Sequence, residues 1–407
     1  MRELLRTERG LRPLLLAHTQ SSLGTGAAYV ALLVVAYDRF DSALAASAVL
    51  LSDLLPAIVL GAVVGAAADR WSRKAILVGA DVLRAAAFIG IALTGSFALT
   101  IAFAAVAGVG QAAFQPAVMA SLGDVVSRER LAAATGLYGT IGEFGYTAGP
   151  ILAAGLLAVT GAATVLALNG ATFVVSAALL LTLRVAPRPP GGEATDFLGA
   201  IREGVRALRR LRLALAVMVS AGAFAFCLGA VNVAELVLVR RTLDGTESQY
   251  ALFVAAMGLG LTVGSWLGAR ATEERALSRY LSGMLAVSGA TLACGLAPSF
   301  AVAVVAAAAL GAANGIANVA QNVALQSLVP AELKGRVFGL KGTLFATAFG
   351  LSYLSAGAFI ALTGARAAFV VLAGLTLAVW LLAATVLART GTPTQPHPIP
   401  DAKGAAA

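Results

Sequence analysis

From Leu14 to Arg389 the chain is a succession of apolar runs of about 20 residues separated by short polar stretches. A run of that length crosses a hydrocarbon layer of ~30 Å as a helix rising ~1.5 Å per residue. A lone strand would leave its backbone unsatisfied in lipid, so helices are the predicted elements. The runs place twelve spans at about 14–37, 43–68, 76–94, 97–120, 131–158, 162–184, 214–239, 248–270, 277–297, 299–325, 337–362 and 365–389. Polar residues recur inside some of them at helical spacing. His18, Ser22, Thr25 and Tyr29 share one face of span one; Gln111 and Gln115 lie on span four; Asn314, Asn318 and Gln321 lie on span ten; Asn232 is on span seven. Such stripes either line a wet cavity or bridge helices within a bundle.

The spans repeat. Gly-Leu-Tyr-Gly-Thr at 136–140 returns as Gly-Leu-Lys-Gly-Thr at 339–343, Thr160-Gly161 returns as Thr363-Gly364, and Gly61 and Gly65 return as Gly264 and Gly268, always 203 residues later. Six helices duplicated in parallel are the layout of a transporter whose halves rock about a midplane site. The predicted fold is therefore all-α and integral to the membrane, with twelve transmembrane helices in two pseudo-symmetric six-helix bundles at 1–185 and 214–389. A cytoplasmic linker, 186–213, joins them. From about Thr195 its apolar Phe197, Leu198, Ile201, Val205 and Leu208 alternate at helical spacing with Arg202, Arg206, Arg209 and Arg210. This is either a basic amphipathic helix on the inner leaflet or a charged linker that orients the second half. The tail, 390–407, is Pro-rich and polar and reads as disordered.

Composition agrees. The chain is 59% hydrophobic and 12% charged, against roughly 25% charged in soluble domains, which excludes a soluble globular protein. The net charge of +9 is a topology signal and no sign of nucleic acid. Of the 29 Lys and Arg residues, only Arg39, Arg240, Arg241 and Arg366 fall in the odd-numbered loops, so both termini and the central linker are expected in the cytoplasm. The N-terminal stretch is too long and too polar around His18 to Ser22 for a cleaved signal, so it reads as the first span. Cys227 and Cys294 both sit inside apolar runs and read as small core residues.

A carboxylate inside a span is unfavourable by roughly 2.5–3.5 kcal/mol, so each is a functional candidate. Glu143 lies twelve residues into span five, sharing a face with Thr140, Thr147 and Pro150, while Gly142, Gly145 and Gly149 fall on another that is fit to pack on a neighbour. Burial there would suit it to carry a proton, with a buried structural hydrogen bond as the alternative. Asp53, in the outer half of span two, is the second proton-coupling candidate. Asp81 and Arg84, three apart and near the inner end of span three, read as a local pair within a gating network. Glu235 is near the outer end of span seven, where water could solvate it. At the 203-residue offset, Asp53, Asp81, Arg84 and Glu143 meet Ala256, Met284, Val287 and Ala346, which assigns charge work to the first half. Acids outnumber the two bases within spans, Arg84 and Lys341, which suits a cationic or neutral amphipathic substrate. No phosphate-binding glycine loop is present to make ATP the direct energy source, no cofactor is implied, and no catalytic His, Ser or Cys cluster suggests an enzyme.

Residues 65–74, Gly-Ala-Ala-Ala-Asp-Arg-Trp-Ser-Arg-Lys, resemble the G-x-L-a-D-R-x-G-R-K loop of the major facilitator superfamily, between spans two and three as in that family. Gly145 to Ala154, Gly-Tyr-Thr-Ala-Gly-Pro-Ile-Leu-Ala-Ala, resemble the G-x-x-x-G-P-x-x-G-G pattern of its proton-coupled exporters. The stretches LSDLLP, ADVLRA and ALNGATF are similar to the bacterial branch that includes siderophore and macrolide exporters. Ala67, Ser72, Ala153 and Ala154 depart from the two patterns, and span four lacks the arginine that many members carry. The resemblance implies that spans one, four, seven and ten line a central cavity, with Ser22, Thr25, Tyr29, Gln111, Gln115, Asn232, Asn314, Asn318 and Gln321 toward the substrate. It also implies that Asp69 and Arg73 clasp the halves on the cytoplasmic side. Physically, Gly61 and Gly65 allow a close helix approach, and Arg70, Arg73 and Lys74 can pair with acids or lipid phosphates. Gly65, Asp69, Arg70, Arg73, Lys74, Asp81, Arg84, Gly145, Gly149 and Pro150 form the expected gating set. The expected function is export of small lipophilic compounds by proton antiport, by a monomer in a bacterial inner membrane. Uptake or facilitated diffusion of a nutrient is the alternative, and a receptor or lipid-modifying protein is the alternative of another class.

Overall fold

The computed structural model describes residues 8, 10–68, 72–183, 205, 206, 208–270 and 272–390. Twelve helices of 20 residues or more account for most of them. The first six are α1 (Leu11–Phe40), α2 (Ala43–Ala68), α3 (Arg73–Leu93), α4 (Phe97–Val125), α5 (Leu131–Val159) and α6 (Ala162–Leu181). The second six are α7 (Arg212–Val237), α8 (Glu247–Gly268), α9 (Ala276–Leu296), α10 (Phe300–Leu328), α11 (Ala331–Thr363) and α12 (Ala365–Thr390). The described residues contain no strand. Ten of the helices are long and apolar enough to cross a membrane, and α2 adds a shorter apolar stretch, Ala43–Val59. Asp69, Arg70, most of the predicted linker helix and the tail beyond residue 390 lie outside the described residues.

Helix ends fall where polar groups can take up the free backbone donors and acceptors. The Ser72 hydroxyl accepts from the Ala75 amide at 3.1 Å to start α3. Thr246 and Gln249 form a reciprocal capping box at the start of α8. At the other ends, Asp41 after α1 and Gly364 after α11 take positive φ, 42° and 77°, which reverses the chain within one residue.

The packing obeys the repeat. α1 packs on α5 and α6, α3 on α4 and α6, and α2 on α4; six helices later, α7 packs on α11 and α12, α9 on α10 and α12, and α8 on α10. The two sets join mainly through α5 against α8 and α2 against α11, contacts that exchange under the same shift. Around the periphery Leu93, Val159, Trp266, Leu362 and Leu382 stay exposed, an apolar surface that lipid would cover.

Within each set the helices approach closely because small residues line the contacts. A methyl group on Gly149 of α5 would lie 2.5 Å from the Gly26 Cα of α1, and one on Gly145 would lie 2.5 Å from the Ser22 Cβ. Gly264 of α8, one of the repeat glycines, likewise abuts the Ala312 backbone of α10. By contrast Gly155, later on α5, has open space around it.

Gly149→Ala should therefore destabilise the purified protein by about 1–3 kcal/mol, because α1 and α5 must separate. Gly155→Ala should leave the melting temperature unchanged or raise it, since alanine is the better helix former by up to about 1 kcal/mol. Thermal unfolding in detergent distinguishes them, and equal shifts would contradict a packed α1–α5 seam.

Candidate functional site

The chain enters α1 and leaves α12 at one end of the bundle, called the inner end below. There, Glu8 accepts a 2.9 Å hydrogen bond from the Ser127 hydroxyl, and Arg73 pairs with Asp124 at the foot of α4 while donating to the Ala120 carbonyl at 3.1 Å. Both contacts hold one six-helix set together. At the outer end, in contrast, the sets touch each other. Arg240, in the π-helical turn Leu238–Thr242 that extends α7, pairs with Asp38 of α1 at 2.8 Å and donates to the Gly245 carbonyl at 2.7 Å. Ser248 of α8 donates to the Ala154 carbonyl of α5 at 2.7 Å. Gly357 of α11 sits so close to α2 that a methyl group there would lie 2.7 Å from the Leu44 Cα. Toward the inner end, Gly136 and Gly139 of α5 and Gly335, Gly339 and Gly342 of α11 face open space. The two sets are closed against each other outside and parted inside.

Between them lies a cavity of about 680 Å³. Its wall takes Tyr29 from α1, Asp53 from α2, Glu143, Tyr146 and Pro150 from α5, Asn232 from α7, Asn314 from α10, and Phe345, Phe349 and Tyr353 from α11. Aromatic rings and apolar side chains make most of the surface. Two carboxyl groups and two amides punctuate it, and no Lys, Arg or His is among the lining residues. The Asn232 amide donates to the Tyr353 hydroxyl at 3.1 Å, fixing both.

A second cavity of about 390 Å³ lies inside the first set. It is walled by His18, Ser22, Thr25, Gln111, Gln115, Tyr138, Glu143 and Tyr146, with Arg84 at its back. Glu143 and Tyr146 border both cavities, so the Glu143 side chain stands in the partition between them. His18 stacks on Tyr138 with ring centroids 3.6 Å apart and contacts the Tyr138 carbonyl through Nε2 at 3.0 Å. Ser22 meets its other nitrogen at 3.2 Å.

Arg84 is the cation that α3 brings to this region, and its two terminal nitrogens are engaged while its buried Nε has no hydrogen-bond partner. Its guanidinium lies 4.3 Å from the ring centres of both Phe114 and Phe173, donates to Gln111 Oε1 at 2.9 Å, and pairs with Asp81. Asp81 and Arg84 are both buried. A buried ion pair needs such extra donors and rings to offset the loss of water.

Several expectations change. Asp81 and Arg84 are not near the inner end: Arg84 is the twelfth of the 21 residues of α3, at mid-depth. Glu143 is not buried but exposed to the cavities, because the glycine face of α5 packs on α1 and turns the carboxyl toward open space. Gln321 borders neither cavity; two turns beyond Asn314 toward the inner end of α10, it is 4% exposed. Asn318, one turn earlier, is exposed and accepts from Asn322 at 3.0 Å, and Asn322 in turn accepts from Lys341 at 2.6 Å. Glu235 is not solvated but completely buried, its Oε1 accepting a long 3.4 Å hydrogen bond from Tyr250. The second set therefore does hold an acid. Arg73, expected in a clasp between the halves, pairs instead within the first set. Ser22, Thr25, Gln111 and Gln115 line the side cavity, and Tyr29, Asp53, Asn232 and Asn314 the central one. Tyr146 and Tyr353, aromatic neighbours of the acids, carried no periodic signal that would have marked them.

The model of the Major Facilitator Superfamily matches residues 14–237 and 217–406. The chain is 28% identical over 399 residues to an uncharacterized MFS-type transporter of Bacillus subtilis strain 168, YfiS, covering 93% of each. Macrolide efflux protein A of Streptococcus pyogenes is 22% identical over 237 residues, 56% of this chain and 58% of that protein. Among solved structures, a bacterial homolog of the human lysosomal transporter Spinster, inward-facing and unoccupied, superposes with a TM-score of 0.70 at 18% identity, covering 93% of this chain and 95% of that one. The nucleoside transporter NupG superposes with a TM-score of 0.73 at 12% identity, covering 93% and 99%. The apolar helices, the repeated packing and the family match together make this chain a member of the Major Facilitator Superfamily, a multi-pass membrane transporter and not an enzyme.

Proposed function

We propose that the protein exports small lipophilic compounds, cationic or neutral, in exchange for protons, by alternating access between its two six-helix sets. In this reading all twelve helices cross the cytoplasmic membrane of a bacterium, with 1–185 and 214–389 as the two moving units, 186–213 as a cytoplasmic linker and both termini inside. The observation that carries the reading is the position of Glu143 in the partition between two cavities. On one side is an aromatic, acid-bearing chamber with room for a drug-sized molecule. On the other is a polar chamber that runs toward the inner ends of α1, α4 and α5 and ends at His18, Thr135 and Met119. A carboxyl placed there can meet a substrate from one face and exchange a proton with water from the other. Aromatic rings around an acid favour an organic cation through cation–π attraction as well as charge. The 22% identity to a macrolide efflux protein, over a little more than half of each chain, points the same way for export. A proton moving through ~100 mV releases about 2.3 kcal/mol, sufficient for about a 50-fold gradient.

In this scheme the structure is the inward-open state, and the Asp38–Arg240 pair is part of its outer seal. Asp69 and the neighbouring bases would close the inner side in the opposite state.

Two outcomes are expected. In proteoliposomes with an imposed pH gradient, wild type should couple movement of lipophilic cations to proton flux, while Glu143→Gln should bind the same compounds within about threefold but lose coupling by about a hundredfold or more. Equal coupling in both would remove Glu143 as the carrier, and no proton movement with any compound would overturn the export reading. Separately, Asp38→Arg or Arg240→Asp alone should loosen the outer seal and raise outer accessibility to a thiol reagent by about fivefold. The double exchange should restore it if the pair acts as a pair; failure to restore would assign closure to the helix packing alone.

A further inference from the structure

Glu235 has no part in the scheme above, and its surroundings are unlike those of any other acid in the described chain. It lies on α7 one turn beyond Asn232, which lines the central cavity. It is 0% exposed. One carboxyl oxygen receives only the 3.4 Å contact from the Tyr250 hydroxyl of α8, and the other, Oε2, has no partner. Tyr250 of α8 is the one titratable group in contact with it; Tyr29 of α1, Tyr353 of α11 and Cys294 of α9 are near enough to feel its charge, and none of the four is a base. Asp53 of α2 lies farther along the same tyrosine cluster, beyond Tyr353. Of the cations of the outer end, Arg39 donates to the Ile91 and Ala92 carbonyls, Arg240 is held by Asp38 and the Gly245 carbonyl, Arg366 of α12 donates to the Gly295 carbonyl, and Arg241 is exposed.

An ionised carboxylate without a cation or a full set of donors is strongly disfavoured in such a place, and a neutral acid is tolerated because it keeps an O–H to donate. Tyr29 belongs to the first set, whereas Glu235, Tyr250 and Tyr353 belong to the second. Along α7, Glu235 therefore lies between two places where the sets meet: the cavity wall that Asn232 shares with Tyr29 of the first set, one turn inward, and the Arg240–Asp38 pair, just beyond it, at the interface that must open when the transporter turns outward. We propose that Glu235 is a proton-binding site of the outer gate: the gate shuts only over the protonated acid, and opening it lets water reach and ionise the carboxyl. A proton taken up from outside then becomes a condition for closure. Linkage fixes the sign, since the closed state binds the proton more tightly than the open one: low pH favours closure and rising pH favours opening.

This inference rests on the alternating-access reading but not on Glu143 or on any substrate, and its test uses neither a gradient nor a drug. Nitroxide labels would be placed on Gly95→Cys and Pro298→Cys, exposed in the outer loops of the two sets and related by the repeat, in the full chain in lipid nanodiscs. Pulsed electron resonance then reads the distance across the outer end. Wild type should show the long-distance population rising about tenfold between about pH 5.5 and about pH 8.5. Glu235→Gln, a permanently neutral isostere, should hold the short distance throughout, and Glu143→Gln should respond as wild type does. Tyr250→Phe, which removes a donor to the carboxylate, should respond with its midpoint moved to higher pH. The inference is overturned if Glu235→Gln opens with pH as wild type does, if wild type does not respond, or if Tyr250→Phe keeps the wild-type midpoint. The last measurement decides the matter should Glu235→Gln fail to fold. Loss of drug transport in vesicles with these pH responses intact would sink the export reading alone.

Discussion

A charge cannot be left unpaired between apolar helices, and the organisation of this protein follows from the ways its acids meet that constraint. Desolvating a carboxylate is opposed by several kcal/mol unless a partner or water compensates. Asp81 has Arg84, itself flattened between Phe114 and Phe173 and steadied by Gln111. That is a structural knot tying α3 to α4 and α6. Asp53 and Glu143 reach cavity space, which keeps them available to ligands and protons. Glu235 is completely buried, with the Tyr250 hydroxyl on its carboxyl and no base beside it. In the proposed cycle the three solutions correspond to three roles: holding one set of helices rigid, meeting cargo, and answering to protonation.

Rigidity within the sets and looseness between them is the second requirement of a rocking machine. Inside a set, the α1–α5 seam brings backbone against backbone through Gly26, Gly145 and Gly149, an arrangement in which dispersion contacts are dense and any added methyl is resisted. Between the sets, the α5–α8 and α2–α11 contacts are the principal joints. These are the helices whose inner portions carry the open-facing glycines of α5 and α11, so the joints bear at the outer end and are free at the inner one.

Much of this was legible in the sequence because lipid imposes a length. The predicted spans 43–68, 131–158 and 365–389 match α2, α5 and α12 to within a residue at either end; the apolar run of α5, for example, stops at Thr160, where the helix also ends. Span 97–120 fell short of α4, which carries on to Val125 through Ser121, Leu122, Gly123 and the charged Asp124, where helix continues past the apolar run. What the sequence could not supply was the facing of side chains. Helices apolar on nearly all sides have no stripe to say which way they turn. Gln321 follows the same spacing as Asn314 and Asn318 yet ends buried, and Glu235 looked solvated from its depth alone. Only neighbours brought by the fold, Tyr250 of α8 on the carboxyl among them, decide that this end of α7 is covered.

The repeat also explains why the outer seal is where it is. Shifted by 203 residues, Asp38 falls on Arg241, next to its partner Arg240. Two equivalent helix ends can lie side by side only near the axis that relates the halves, and there a duplication first yields identical residues facing each other. Like charges would repel at that point, so a seal on the axis needs divergence, and the acid on α1 against the base beyond α7 is that divergence. The pair is partly exposed, at 22% and 30% for the two side chains, where ion pairs contribute at most about 1 kcal/mol. A contact of that strength can orient the closed gate without locking it. The rest of the closure falls to the outer helix packing, with Ser248 on Ala154 and Gly357 against α2, and beneath the pair on α7 the proposed proton site adds a contribution that changes with pH.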